Sequence, residues 1–140
     1  MHYLGTFSHS LDAKGRLFIP ARFRDQIGDE VVVMMSPDKC LFVYDNDEFA
    51  KIVEQVKTSA VDKPSRDKAR TFYRSTATLP FDKQGRVTLP QSFIKYAGLS
   101  SDVVILGAAN RLEIWPAGAP EAAEPDADMV SDENFPEIIY

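Results

Sequence analysis

Apolar and polar residues alternate in short runs near both ends of residues 1–116, and between those runs they switch to helical spacing. Tyr3 to Phe7 alternates and reads as a strand, with Ser8, His9 and Ser10 as a turn or strand end. Asp12-Ala13-Lys14-Gly15 has the chemistry of a turn, since Asp favours the first position and Gly15 tolerates positive φ. Arg16 to Ile19 alternates again, with Leu17 and Ile19 facing in and Arg16 and Phe18 facing out. Pro20 suits the first turn of a helix, where its missing N–H is no loss. Phe23 and Ile27 lie at i, i+4 on that helix, and Gly28 stops it. A buried strand over Val31–Met35, a turn at Ser36-Pro37-Asp38 and a strand over Leu41–Tyr44 complete the unit.

From Asp47 to about Thr58 the spacing of Phe49, Ile52, Val53 and Val56 predicts a helix, and Asp47 and Glu48 suit its positive N-terminus. After a break to Pro64, a second helix is expected over roughly Ser65–Thr76. It has Ala69, Phe72 and Tyr73 on one face and Arg66, Arg70 and Arg74 on another. That arginine stripe reads as a solvated or oligomer-facing surface.

Then the first pattern returns. DAKGRLFIP (Asp12–Pro20) reappears as DKQGRVTLP (Asp82–Pro90) without a gap, followed by Phe23 against Phe93 and Gly28 against Gly98. VVVM (Val31–Met34) meets VVIL (Val103–Leu106), and CLFVYD (Cys40–Asp45) meets RLEIWP (Arg111–Pro116). This is an internal duplication. The chain divides into a first repeat over 1–46, connecting helices over 47–76, a second repeat over 77–116 and a tail over 117–140. The tail, AGAPEAAEPDADMVSDE and onward, has little to bury and is expected to be disordered. Its last residues, FPEIIY, are apolar, and are either a docking segment or an exposed end.

Composition refines this picture. The chain is 44% hydrophobic and 11% aromatic, enough for a core shared by two small units. No apolar run approaches the roughly 20 residues of a membrane helix, and Met1 leads into HYLGTFSHS without a signal-peptide pattern; a cytoplasmic protein is expected. Net charge is −5, but residues 1–120 hold sixteen cationic and fourteen anionic side chains, a net of +2, against −7 for the last twenty. That distribution leaves a polyanionic partner open. The acidic tail could compete with DNA for the basic body or serve solubility alone.

Catalytic chemistry finds little support. Cys40 sits in an apolar run as buried filler. His2 and His9 lack companions at metal-ligand spacing, so no metal is expected. Ser8, His9, Ser10 and Asp12 match no nucleophile arrangement. The expectation is a protein that is not an enzyme, with no cofactor and no small-molecule substrate.

Each repeat is too small to bury a good core alone, so the fold class expected is α+β, mainly β, with the repeats interlocked as a pseudo-twofold barrel. Each would present its Asp-x-x-Gly-Arg turn at an equivalent position. Gly15 and Gly85 permit a tight turn that lets backbone approach a partner closely. Arg16 and Arg86 leave the turn on a strand's outer face, able to fork onto guanine edges or phosphate. Lys14, Lys83, Arg22 and Arg24 add phosphate-directed charge. Asp12 and Asp82 read as turn caps or supports for the arginines. The motif is equally readable as a hairpin turn with a local ion pair.

Three segments carry a family resemblance: YLGTFSHSLDAKGRLFIPARFR (Tyr3–Arg24), RTFYRSTA (Arg70–Ala77) and DKQGRVTLP (Asp82–Pro90). The chain resembles the MraZ family, bacterial regulators built from two AbrB-like half-domains, each with a D-x-x-x-R signature. The resemblance covers about residues 1–116. It implies a swapped-hairpin-type barrel, ring-shaped homo-oligomers and sequence-specific binding to short promoter repeats, usually as a repressor. The signature positions are Asp12 with Arg16 and Asp82 with Arg86, and the protein would be nucleoid-associated. The competing reading is an antitoxin-like protein-interaction module, which shares half of this architecture.

Overall fold

The computed structural model of the chain describes residues 2–138. The first repeat supplies β1 (Tyr3–Ser10), β2 (Arg16–Phe18), α1 (Ala21–Ile27), β3 (Glu30–Met35) and β4 (Leu41–Tyr44). Two helices follow, α2 (Asn46–Ser59) and α3 (Lys63–Arg74). The second repeat supplies β5 (Thr76–Pro80), β6 (Arg86–Thr88), α4 (Gln91–Tyr96), β7 (Asp102–Ala109) and β8 (Leu112–Pro116). Local chemistry sets the helix starts: Asp45 accepts from the Glu48 N–H at 2.8 Å and Asp62 from the Ser65 N–H at 2.8 Å, so each caps a helix. β1 runs on through Ser10, because Ser8, His9 and Ser10 pair with Val104, Val103 and Asp102 of the other repeat.

Neither repeat pairs its first strand with its own third. β1 pairs with β7 and β5 with β3, both antiparallel. β4 and β8 join the halves, giving one six-stranded sheet in the order β1-β7-β8-β4-β3-β5. That order is unchanged when each strand is replaced by its counterpart in the other repeat. The short strands β2 and β6 form a separate two-stranded ribbon centred on Leu17 opposite Val87. The pseudo-twofold thus passes near this pair and near Phe42 opposite Glu113 in the sheet.

The expected interlocked barrel is not closed by strand pairing. β1 and β5 are the two edges of the sheet, and the ribbon is not part of it. Each ribbon strand is three residues long, set between its Asp-x-x-Gly turn and its Pro-started helix, and β2 and β6 pair with each other rather than forming ladders with β1 or β5. α3 also begins two residues earlier than expected and yields to β5 at Thr76.

Period-two alternation divides the buried residues between the faces of the sheet. Val31, Val33, Leu41, Val43, Val103, Ile105, Leu112 and Ile114 pack against Leu17, Ile19, Phe23, Val87, Leu89 and Phe93 in the main core. Phe42, Tyr44, Val104 and Trp115 point the other way, beneath Phe49 and Ile52 of α2. Cys40 joins this second cluster, its thiol pushed up to about 11 chiefly by burial and held 3.2 Å from Ser36 Oγ.

The tail departs from expectation where it begins. Pro120–Ala122 form a 3-10 turn, and Ala122, 4% exposed, closes the second cluster beside Trp115. Of the apolar end, Phe135 and Ile138 are exposed, and residues 139 and 140 lie outside the described residues.

Two stability measurements follow. Truncation after Pro116 uncovers the Trp115 cluster and is expected to lower unfolding free energy by on the order of 1 kcal/mol in denaturant titration, whereas truncation after Glu124 leaves it unchanged. Gly107, opposite Gly5, has the backbone of Tyr3 and Leu4 where a Cβ would sit. Gly107→Ala must part β1 from β7 and is expected to cost about 1–3 kcal/mol.

Candidate nucleic-acid interface

The two Asp-x-x-Gly-Arg segments fold into nearly superposable turns. In the first, the Gly15 N–H donates to the Asp12 carbonyl at 3.0 Å, and Gly15 takes φ +79°. Asp12 Oδ1 accepts from the backbone N–H of Lys14 (3.0 Å) and of Arg16 (2.8 Å), while Oδ2 accepts from Arg16 Nε at 2.6 Å. The second turn repeats each bond: Gly85 to the Asp82 carbonyl at 3.1 Å, Gln84 and Arg86 N–H to Asp82 Oδ1 at 2.9 Å each, and Arg86 Nε to Oδ2 at 2.8 Å. Gly85 also sits at φ +79°, a region a side chain enters only with strain.

The aspartates are therefore turn-formers first and arginine-holders second. The N–H of residue 16 foremost, then the Arg16 guanidinium, hold the Asp12 carboxyl below the usual carboxylate range, and Asp82 is lowered in the same way by Arg86. A lowered folded-state value means that the ionised turn adds stability above the unfolded value of about 3.9, and that this is lost as pH falls through the folded value.

The turns are locked across the repeats. The Leu89 N–H donates to the Gly15 carbonyl at 2.8 Å, and the Ile19 N–H to the Gly85 carbonyl at 3.2 Å. Both glycines are buried, so the close approach they permit is to the chain's own other half rather than to a partner. A Cβ on Gly15 would meet the Leu89 carbonyl at 2.9 Å, and one on Gly85 would strike the Arg24 guanidinium.

Leu17 and Val87 are wholly buried beneath the ribbon, which turns their neighbours outward. Its outer face carries Arg16 opposite Thr88 and Phe18 opposite Arg86. Both arginine side chains are about a third exposed, at 33% and 28%. Among the described residues, each is hydrogen-bonded through Nε alone, leaving its two terminal nitrogens without a hydrogen-bond partner.

The remaining predicted cations divide unequally. Lys14 is exposed on the first turn and Lys83 on the second. Arg24 crosses from the first repeat to the second turn. Its Nε donates to the Ile19 carbonyl at 2.9 Å, and its guanidinium lies over Phe18, 4.9 Å from the ring centroid, and against Gly85. Its counterpart Ile94 covers Gly15 instead. Arg22 is not at either turn and lies over the rings of Phe7 and Phe23. Sequence reasoning missed Phe18 and Ile94 as neighbours of the turns. Comparing unlike residues at the repeat offset (Arg24 with Ile94, Phe18 with Thr88) was the available signal.

With this geometry in place, similarity to known proteins is decisive. The family model described as "MraZ protein, putative antitoxin-like" matches twice, over residues 2–71 and 72–129. The chain belongs to the MraZ family. The second matched unit extends past Pro116 to include the Ala122 turn. Among relatives named Transcriptional regulator MraZ, the protein of Thermobifida fusca is 39% identical over 138 residues, 98% of this chain and 96% of its own. Those of Carboxydothermus hydrogenoformans and Lachnoclostridium phytofermentans are 43% and 41% identical over 114 and 113 residues, each about 81% of this chain and 80% of the relative.

Other candidate chemistry stays apart from the turns. Arg66, Arg70 and Arg74 are exposed on α3, with Arg70 paired to Asp67 at 2.8 Å. Among the described residues, no carboxylate after Pro116 lies in ion-pair range of a cation. No described helix is long and apolar enough to cross a membrane.

The order of causes at Asp12 gives a test. In an NMR titration of the carboxyls, Asp12 and Asp82 are expected to ionise below about 3.9. Arg16→Ala is expected to raise the Asp12 midpoint yet keep it below that value, because the N–H of residue 16 remains. A midpoint at the ordinary value would make the side-chain pair, not the turn, the dominant interaction.

Proposed function

We propose that this protein is a DNA-binding transcriptional regulator that represses by docking its Asp-x-x-Gly-Arg turns on short promoter repeats. One observation carries the reading: Arg16 and Arg86 stand on the outer face of a two-stranded ribbon, each anchored through Nε with its terminal nitrogens left to fork. A two-stranded β-ribbon fits the major groove, and a fork of two N–H groups matches guanine O6 and N7. Lys14, Lys83 and Arg24 flank these positions and serve the phosphates, with Arg22 further along α1. Asp12, Asp82, Gly15 and Gly85 build the turns. Relatives named as transcriptional regulators support the same assignment.

One ribbon offers few cations, and the chain as a whole is acidic, so a lone protomer would bind weakly. Ring-shaped homo-oligomers set against repeated sites raise effective concentration without new contacts. The protein would act in the cytoplasm at the nucleoid.

Gel-shift and footprinting on the DNA upstream of its own gene test this. Arg16→Ala and Arg86→Ala are each expected to weaken specific binding roughly 5- to 150-fold, from about 1–3 kcal/mol per forked contact, with oligomer mass in sedimentation unchanged. Specific retention by the double variant would overturn the assignment. Log affinity is also expected to fall linearly with log salt as counterions are displaced, and a flat profile would count against phosphate contact. The antitoxin-like reading gains instead if pulldown returns one stoichiometric protein partner and no DNA.

A further inference from the structure

The pseudo-twofold makes the two reading strands equivalent in backbone but not in side chain. At the one outward position between the arginines, β2 carries Phe18 and β6 carries Thr88. Phe18 is 37% exposed, on a surface whose other residues are charged or hydroxylic. The core does not need it there, since Leu17 and Ile19 fill the interior and Thr88 serves at the same place in the second repeat.

Its ring is held from the flanks. The Arg24 guanidinium lies 4.9 Å from its centroid, and the His9 ring lies 5.9 Å away at 37°. Arg24 is fixed in turn by the Ile19 carbonyl at 2.9 Å and its seat on Gly85. His9 is shifted toward the neutral form by burial, so the ring is bordered by one cation rather than two. The part left uncovered is a fixed apolar edge beside two arginine forks.

In the major groove one base pair edge offers an apolar group, the thymine C5-methyl, and phenylalanine is among the side chains that suit it. We propose that Phe18 is a specificity-determining residue that reads a thymine methyl, so that the two strands of the ribbon read different bases. Thr88, far smaller and carrying both a hydroxyl that can donate or accept and a single methyl, offers no comparable apolar edge and makes no exclusive demand. The site recognised by one protomer is therefore asymmetric although its scaffold is nearly symmetric. This inference rests on the DNA-binding reading above.

The test uses full-length protein and duplexes that it enriches from a random-sequence pool. In those duplexes each thymine is replaced in turn by deoxyuridine, which lacks only the methyl group. Wild-type protein is expected to lose about fourfold in affinity at one thymine per repeat, the ~0.8 kcal/mol of one buried methylene. Phe18→Ser, which leaves no apolar group at the position, is expected to bind thymine and deoxyuridine equally there while still discriminating guanine substitutions, the non-additivity of a direct contact. If wild-type protein tolerates every deoxyuridine while still losing binding on Arg16→Ala, Phe18 does not read thymine and the DNA-binding reading stands. If no duplex is enriched, both fall. The deoxyuridine scan on wild-type protein needs no variant, so a poorly folding Phe18→Ser would not shield the proposal.

Discussion

The exchange of strands between the two repeats is the constraint on which everything else depends. Among the described residues β1 has a partner only in β7, and β5 only in β3, so each half completes the other's sheet. The ribbon goes further, since among the described residues β2 and β6 have each other as ladder partners, with one added bridge from Leu17 to Leu11. A half of this chain would expose unpaired strand edges and half of the Leu17–Val87 core. Cross-repeat contacts reach the loops as well: the Tyr96 hydroxyl of α4 donates to the Ser36 carbonyl at 2.5 Å. Folding and presentation of the turns are consequently one event.

That coupling explains the rigidity of the candidate site. The turns are exposed in charge but buried in backbone, because the Gly15 and Gly85 carbonyls each accept a bond from the opposite repeat. Carboxylates that could have repelled a polyanion are spent inside the turns on N–H groups and on Nε. What faces outward from each turn is then mainly cationic, despite a chain that is acidic overall. Net charge was a poor guide here because the seven carboxylates of the last twenty residues make no ion pair with the body among the described residues.

Much of this was legible in the residues, and the part that was not has a physical reason. Leu17, Ile19 and Phe23, with Val87, Leu89 and Phe93, recur at one offset and all lie in the core; the duplication reported burial twice. Alternation reports which face a residue takes but not which strand lies beside it, so strand exchange and the open sheet could not be read from it. Arg24 illustrates the same limit. Its place along α1 was evident, but its seat on the second turn arises only from the exchange. Ala122 was lost in an acidic, alanine-rich stretch whose average hides one buried methyl.

The departures from symmetry are where the two repeats have been freed to differ. On the axis itself, Phe42 faces Glu113, and the carboxylate is kept buried by Arg111 at 2.7 Å and the Trp115 indole N–H at 3.0 Å. The Arg111 guanidinium in turn lies 3.9 Å from the Phe42 ring centroid. One half thus supplies an aromatic surface and the other an ion pair laid across it, a complementarity unavailable to two identical copies. The same division appears on the ribbon, where Arg24 and Phe18 of the first repeat meet the second turn while Ile94 of the second meets the first. Fusing the two copies in one chain lets each position diverge alone while the shared backbone register holds. A nearly symmetric scaffold can therefore carry an asymmetric surface without loss of the core that both halves build.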